Sequence, residues 1–206
     1  MDKRCLITIG REYGSGGRDI GELTARILGI EFYDKELIGL ASTKSGLKAE
    51  LFEKADEKKS FSLQGGAFGL RSSLIDNVSA GYLLSNESLF TIQSDVIREV
   101  ATKENALFVG RCADYVLKDN CALLSVFIVG RLEERIARVA SRTGVSLDEA
   151  ASIVEKEDKR RASYYNYFSN KKWGDPHSYD LCINSSIFGL EGSARIIADS
   201  VLLRKC

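Results

Sequence analysis

The sequence has 206 residues, and its 29 basic and 29 acidic side chains give a formal net charge of zero. Proteins that bind duplexes usually carry a basic excess, and the longest apolar run, 121–129, is far shorter than the ~20 residues that span a bilayer. We therefore expect no nucleic-acid or membrane partner. Because His177 is the single histidine, mechanisms that need a histidine pair or triad are excluded.

The cysteines and the N-terminus predict a cytoplasmic location. The five cysteines are odd in number and never stand in a C-x-x-C spacing, which is typical of reduced thiols rather than of a disulfide scaffold or a zinc site. Residues 1–4 precede an apolar run that is too short for a signal peptide. The length and the hydrophobic content of 44% fit one domain over residues 1–206.

Short apolar runs alternate with helical patterns along most of the chain. The predicted strands are 5–9, 30–33, 106–109, 123–129 and 181–184. The predicted helices are 20–28, 34–42, 89–100, 131–143, a long one opened by the capping box at 146–149, and 190–203. This alternation predicts a three-layer α/β/α fold with a doubly wound parallel central sheet, whose ligands bind at the carboxyl ends of the strands.

The segment 43–88 does not continue the alternation. It begins with a charged helical pattern at 47–59 and continues as a Gly- and Ser-rich stretch at 60–88. We interpret it as an insert that stands apart from the central sheet.

A glycine-rich stretch between the first strand and the first helix predicts a phosphate-binding loop. Glycines let backbone N–H groups approach an anion, and the following helix presents its unpaired N–H groups to it. The loop lacks the lysine of the G-x-x-x-x-G-K-[ST] pattern, and Arg18 is the candidate for the missing charge. Asp19 faces a metal, pairs with Arg18 or caps the helix. The candidate nucleotide-binding residues are Gly10, Arg11, Gly14, Ser15, Gly16, Gly17, Arg18 and Asp19.

The same glycines also match a second pattern. Gly10-x-x-x-Gly14-x-Gly16 has the spacing of short-chain dehydrogenases, and Tyr167 and Lys171 form a Tyr-x-x-x-Lys pair. An NAD(P)-binding protein is therefore an alternative, although the pair lies late in the chain, in a highly charged helical region.

Basic residues recur at helical spacing after the fourth strand. Arg131, Arg135, Arg138 and Arg142 lie on one helix face, where they either neutralise a polyphosphate or form a solvated surface. The next helix carries Asp158 and Arg161, followed by a run of aromatic residues. Two such helices joined at Gly144 predict a lid over bound phosphates.

These segments together resemble the cytidylate-kinase-like family. The resemblance is carried by the stretches Ile9–Arg18, Phe32–Lys35, Val109–Asp114 and Asp158–Ser186, and it is weakest within 43–88. It implies a P-loop kinase fold with an acceptor-binding insert at 43–88, arginine-rich helices and a lid at 131–172, and ATP with Mg²⁺ as cofactors. The residues that it assigns to catalysis are Arg18, Arg111, Arg135, Arg138, Asp158 and Arg161, and those that it assigns to the acceptor are Asp34, Arg111 and Asp114.

The sequence thus predicts a kinase that transfers a phosphoryl group from Mg·ATP to a small acceptor, such as a pyrimidine nucleoside monophosphate. If Arg18 replaces the loop lysine, Arg18→Ala abolishes turnover. The missing lysine leaves open a catalytically inactive, nucleotide-binding regulatory protein as the alternative.

Overall fold

The computed structural model describes residues 4–52 and 86–204, in which five parallel strands form one sheet in the order β2-β3-β1-β4-β5. The strands are β1 (Leu6–Arg11), β2 (Glu31–Tyr33), β3 (Ala106–Val109), β4 (Leu123–Val129) and β5 (Leu181–Asn184). The helices are α1 (Gly17–Leu28), α2 (Glu36–Ser45), α3 (Asn86–Lys103), α4 (Ala113–Val116), α5 (Leu132–Thr143), α6 (Leu147–Ser169) and α7 (Ser185–Leu203).

Apolar side chains cover both faces of the sheet. On β1, Leu6 packs into a core with Ile97 of α3 and Phe108 of β3, whereas Ile7 faces a second core with Ile20 of α1. Successive side chains of a strand point to opposite faces. A strand that is buried on both sides is therefore mostly apolar, as β1, β3 and β4 are.

The predicted fold class is confirmed, with shifts at element ends. The strands β3, β4 and β5 have the predicted bounds, and Gly29 ends α1 in the left-handed conformation. Helix α2 begins at Glu36 rather than at 34 and continues to Ser45. Helix α7 begins at Ser185 instead of 190, because Asn184 caps it and the chain passes through a break at Gly189, where φ is 66°.

The predicted insert lies mostly outside the described residues. Residues 49–52 are helical, and 53–85 are not described, so the role of 43–88 in acceptor binding stays a prediction. None of the described helices is long and apolar enough to cross a membrane. The dehydrogenase alternative does not fit the sheet order, which differs from the 3-2-1-4-5-6 order of dinucleotide-binding folds. Moreover, the Tyr167 hydroxyl donates a hydrogen bond to Glu87 on α3, at 2.6 Å.

Helices α5 and α6 form a hairpin beside the end of β1. The turn between them begins at Gly144, whose φ is 73°. Helix α6 then starts with the predicted capping box, in which the Ser146 hydroxyl accepts from the Glu149 N–H and the Glu149 carboxylate accepts from the Ser146 N–H, each at 3.2 Å. Val139 and Val154 pack together with Tyr13 of the glycine loop, so the hairpin is fixed against that loop.

Candidate functional site

The glycine loop connects the end of β1 to the start of α1. Gly14 and Gly16 have φ values of 80° and 79°, a region that residues with a side chain rarely adopt. A Cβ atom at Gly14 would lie 2.7 Å from the Arg135 carbonyl oxygen, and one at Gly16 would lie 2.4 Å from a Leu190 methyl group. Because the first N–H groups of α1 have no partner inside the helix, the loop is built to receive an anion.

Side chains of the surrounding helices hold the loop in place by its carbonyl groups. Each of four successive bonds runs from a donor on α5, α6 or α7 to a loop carbonyl oxygen. The pairs are Arg161 with Arg11 (2.9 Å), Arg135 with Tyr13 (2.9 Å), Arg138 with Gly14, and Ser185 with Ser15 (2.7 Å). Carbonyl oxygens repel phosphate, so fixing and neutralising them preorganises the loop for an anion.

Arg135 is the centre of an ion-pair network, formed with Glu12 and Asp158, that we call the loop-holding network. Its guanidinium lies 3.2 Å from the Glu12 carboxylate and also contacts that of Asp158. Asp158 accepts from the Tyr13 N–H at 2.6 Å, and Glu12 accepts from the Gly130 N–H at 2.9 Å. Arg135 is only 5% exposed. Because Glu12 and Asp158 balance its charge inside the protein, we interpret Arg135 as a residue that positions the loop.

A second group of basic side chains, which we call the arginine cluster, lines a cavity at the carboxyl ends of β1 and β3. Its members are Arg11, Arg111, Arg160 and Arg161. The chain leaves β3 through three consecutive residues with positive φ, Gly110 (77°), Arg111 (57°) and Cys112 (53°). Such conformations are unfavourable for residues other than glycine and are concentrated at functional sites. Here they form the turn from which Arg111 lines the cavity.

Polar and aromatic side chains also line the cavity. The Asp114 carboxylate accepts a hydrogen bond from the Tyr165 hydroxyl at 2.7 Å, and burial raises the pKa of Asp114. The Thr8 hydroxyl, on a residue that is 3% exposed, has no hydrogen-bond partner among the residues that the structure describes. Trp173 and Tyr179 complete the lining. The cavity lining therefore combines aromatic rings with hydrogen-bonding groups.

Arg18 and Asp34 form a separate pair at the edge of the site. The Arg18 Nε lies 3.0 Å from Asp34, its NH1 group lies 3.2 Å from Glu22, and its guanidinium is 5.5 Å from the centre of the Phe32 ring. Asp34 is buried, whereas Arg18 is half exposed and Asp19, in the first turn of α1, is exposed. The Arg18 side chain is thus engaged beside β2.

The structure brings most of the predicted site residues together, but in two groups with different surroundings. Arg135, Arg138 and Asp158 hold the loop, whereas Arg111 and Asp114 line the cavity. Arg161 does both, since it lines the cavity and donates to the Arg11 carbonyl oxygen. Sequence reasoning missed the parts played by Glu12, Thr8, Arg160 and Tyr165. Arg160 stands beside a predicted residue, and Tyr165 belongs to the run of aromatic residues that follows Arg161, to which the sequence assigned no role. Thr8 lies within an apolar strand, where nothing in the sequence distinguishes it.

A family model and individual relatives point to the same family. Residues 6–187 match the model of the cytidylate kinase-like family. The cytidylate kinase of Archaeoglobus fulgidus is 26% identical over 97% of this chain and 96% of its own length. That of Thermococcus kodakarensis is 33% identical over 50% of this chain. The chain spans about half of that relative, 52% of its length.

Solved structures support the same fold. An uncharacterized protein from Eubacterium ventriosum is 28% identical, with a TM-score of 0.72, over 98% of this chain and 100% of that one. The shikimate kinase of Acinetobacter baumannii is 15% identical, with a TM-score of 0.53, over 99% of this chain and 96% of its own. At that identity the second likeness bears on the fold alone, which is that of the P-loop kinases.

Proposed function

Since the chain belongs to the cytidylate kinase-like family, we propose that it transfers the γ-phosphoryl group of ATP to a small acceptor, and that this acceptor is a pyrimidine nucleoside monophosphate. The observation that carries the proposal is the convergence of the arginine cluster on a cavity beside the glycine loop. Phosphoryl transfer needs little covalent help from a protein, and it is accelerated mainly by positioning and by positive charge. Because the sequence predicts reduced cysteines, we propose that the protein acts in the cytoplasm.

The donor is proposed to bind with its phosphates at the start of α1. The glycines at 14 and 16 form a cradle that a Cβ atom would fill, so the residues present fit a phosphate chain. Among the described residues, no group of three His, Cys, Asp or Glu side chains could hold a metal ion. Mg²⁺ is proposed to arrive with the nucleotide, because Mg²⁺ at such sites keeps several waters and is held largely by substrate phosphates.

The acceptor is proposed to bind in the cavity, with its phosphate toward the arginine cluster. Arg111 lines the cavity, and its planar fork matches the oxygens of a phosphate. A base ring would then lie among Tyr164, Trp173 and Tyr179. Thr8 and Asp114 would meet its polar edge, which supports an acceptor that carries an amino group or a hydroxyl group on a ring.

The test is an ADP-release assay with Mg·ATP against CMP, dCMP, UMP, AMP and GMP, with shikimate as an acceptor of another class. We expect turnover that depends on a pyrimidine monophosphate, in the range of about 1–100 per second that is ordinary for kinases. Arg98→Gln is the matched control, since Arg98 is an exposed residue of α3 that pairs with Asp95. If shikimate alone were phosphorylated, the acceptor would not be a nucleoside monophosphate and the proposed acceptor class would be wrong.

The lysine-less loop favours one second candidate, a nucleotide-binding protein that does not transfer phosphate. The same assay separates the two when it is combined with calorimetry. Binding of Mg·ATP without transfer to any acceptor of the panel would support the second candidate and contradict the first.

A further inference from the structure

The structure shows which residue stands in the place of the loop lysine. In the G-x-x-x-x-G-K-[ST] pattern, the lysine follows the last glycine of the loop and reaches the β- and γ-phosphates. Helix α1 begins at Gly17, and Gly16 is the left-handed residue just before it. Gly17 therefore occupies the position of the lysine, and it has no side chain.

The space beside Gly17 is filled by Arg11. A Cβ atom at Gly17 would lie 2.5 Å from the Cβ atom of Arg11 and 2.9 Å from its Cγ atom. At the other end, the Arg11 NH1 atom lies 2.2 Å from the position of a Cβ atom at Gly110. The side chain thus runs from the start of α1 to the end of β3. Gly17 leaves room for its stem, and Gly110 leaves room for its guanidinium.

The guanidinium of Arg11 ends in a strongly positive environment. Within the described part of the chain it makes no ion pair or hydrogen bond, and its charged neighbours are Arg161, Arg111, Arg160 and Asp34. Asp34 is already bound to Arg18. Burial, with repulsion from Arg161 as the next cause, lowers the pKa of Arg11 to about 9, so the group is still charged at neutral pH. A cation in this setting is stabilised by a bound anion.

We propose that Arg11, rather than Arg18, supplies the positive charge of the missing lysine and contacts the phosphate chain of the nucleotide between the glycine loop and the cavity. The charge comes from the end of β1 instead of the start of α1, and the glycines at 17 and 110 make room for it. This inference rests on the proposed function and names the residue that replaces the lysine.

The experiment exchanges the two positions. Arg11→Gly removes the cation, and the double variant Arg11→Gly/Gly17→Lys rebuilds the G-x-x-x-x-G-K spacing. Binding of Mg·ATP and of inorganic tripolyphosphate is measured by calorimetry. We expect Arg11→Gly to weaken both ligands by roughly 10- to 100-fold, the loss of a hydrogen bond to a charged group, and the double variant to recover most of it. Gly17→Lys alone should unfold at lower temperature, because its side chain collides with Arg11.

Arg11→Met keeps the apolar stem without the charge and separates binding from folding. It should lose the same affinity as Arg11→Gly while its melting temperature stays at or above that of the wild type, since repulsion with Arg161 is relieved. Arg98→Gln is again the matched control. Unchanged binding in either Arg11 variant, or a folded double variant that does not recover binding, would overturn the inference.

The two proposals fail in different ways. If the exchange behaves as expected but no acceptor is phosphorylated, Arg11 holds a polyphosphate and the proposed function is wrong. If Arg11→Gly transfers phosphate at the wild-type rate, the proposed function holds and the role of Arg11 is wrong. Absence of tripolyphosphate and ATP binding in the wild type would refute the Arg11 site itself.

Discussion

Arg135 and Arg11 are two arginines at the same glycine loop, and their surroundings are opposite. Arg135 has carboxylates of Glu12 and Asp158 within ion-pairing distance and donates to the Tyr13 carbonyl oxygen. Arg11 has no ion pair within residues 4–52 and 86–204, and three further arginines are its neighbours. One charge is balanced by the fold, and the other is left for a ligand.

The difference separates arginines that position the glycine loop from arginines that are available to a ligand. A buried ion pair whose hydrogen bonds are all satisfied holds a structure in one geometry, and removing one partner leaves an uncompensated charge. A cluster of like charges costs free energy until an anion joins it. Four of the five arginines that the resemblance assigns to catalysis therefore fall into two classes. Arg135 and Arg138 position the loop, whereas Arg111 and Arg161 line the cavity as candidate ligand-binding residues, and substitutions should separate the two classes.

The largest effect is expected at Arg111, in the ligand-binding class. Arg111→Gln removes a cation from the lining of the cavity. We expect acceptor-dependent turnover to fall by ~10³-fold or more, as for arginines that stabilise transferring phosphoryl groups, with little change in the free energy of unfolding. ADP release and urea denaturation measure the two quantities. A variant with wild-type kcat/KM would place Arg111 outside the reaction.

Arg135→Met should act mainly on stability. It leaves Glu12 and Asp158 without their cation, which costs about 3 kcal/mol of the free energy of unfolding for a buried pair. The double variant Glu12→Gln/Arg135→Met should lose less than the sum of the two single variants, because the residues share one network. Urea denaturation provides the measurement. Wild-type stability together with lost turnover would move Arg135 into the ligand-binding class.

The fold was more predictable than the division of the site. Alternating apolar strands, the glycine at position 29 and the capping box at 146–149 are local signals, and the structure confirms them. Whether the charge of an arginine is balanced depends on partners that are distant in sequence. Asp158, for example, pairs with Arg135 and also accepts from the Tyr13 N–H. The role of Arg11 depends on the absence of a side chain at Gly17 and Gly110, and only their spatial arrangement reveals it.

A smaller effect is expected at Arg18, where two hypotheses differ. The sequence alone predicts that its loss abolishes turnover, whereas its pairing with Asp34 and Glu22 predicts an indirect role. We expect Arg18→Gln to raise the KM for the acceptor by at most about 5-fold, through a displaced Asp34, with kcat nearly unchanged. The reason is that a half-exposed ion pair is worth at most about 1 kcal/mol. If Arg18→Gln instead lowered kcat and left KM unchanged, Arg18 would be the residue that replaces the loop lysine.

The smallest effect concerns the pH dependence of stability at Asp114. Burial raises the pKa of this carboxyl group, so the folded state holds its proton more tightly than the unfolded state. Between the unfolded pKa of about 4 and the higher folded pKa, the folded state therefore loses stability as pH rises. Asp114→Asn has no such titration and still accepts from the Tyr165 hydroxyl.

We therefore expect the melting temperature of Asp114→Asn, relative to the wild type, to increase as pH rises from about 4 toward neutrality and then to level off. Asp119→Asn is the matched control, because Asp119 is exposed. A difference between Asp114→Asn and the wild type that decreases with pH would mean that the carboxylate is stabilised by the arginine cluster. The cavity would then bind its acceptor with a balanced charge at its floor, and the polar edge of the ring would have to be assigned to Thr8.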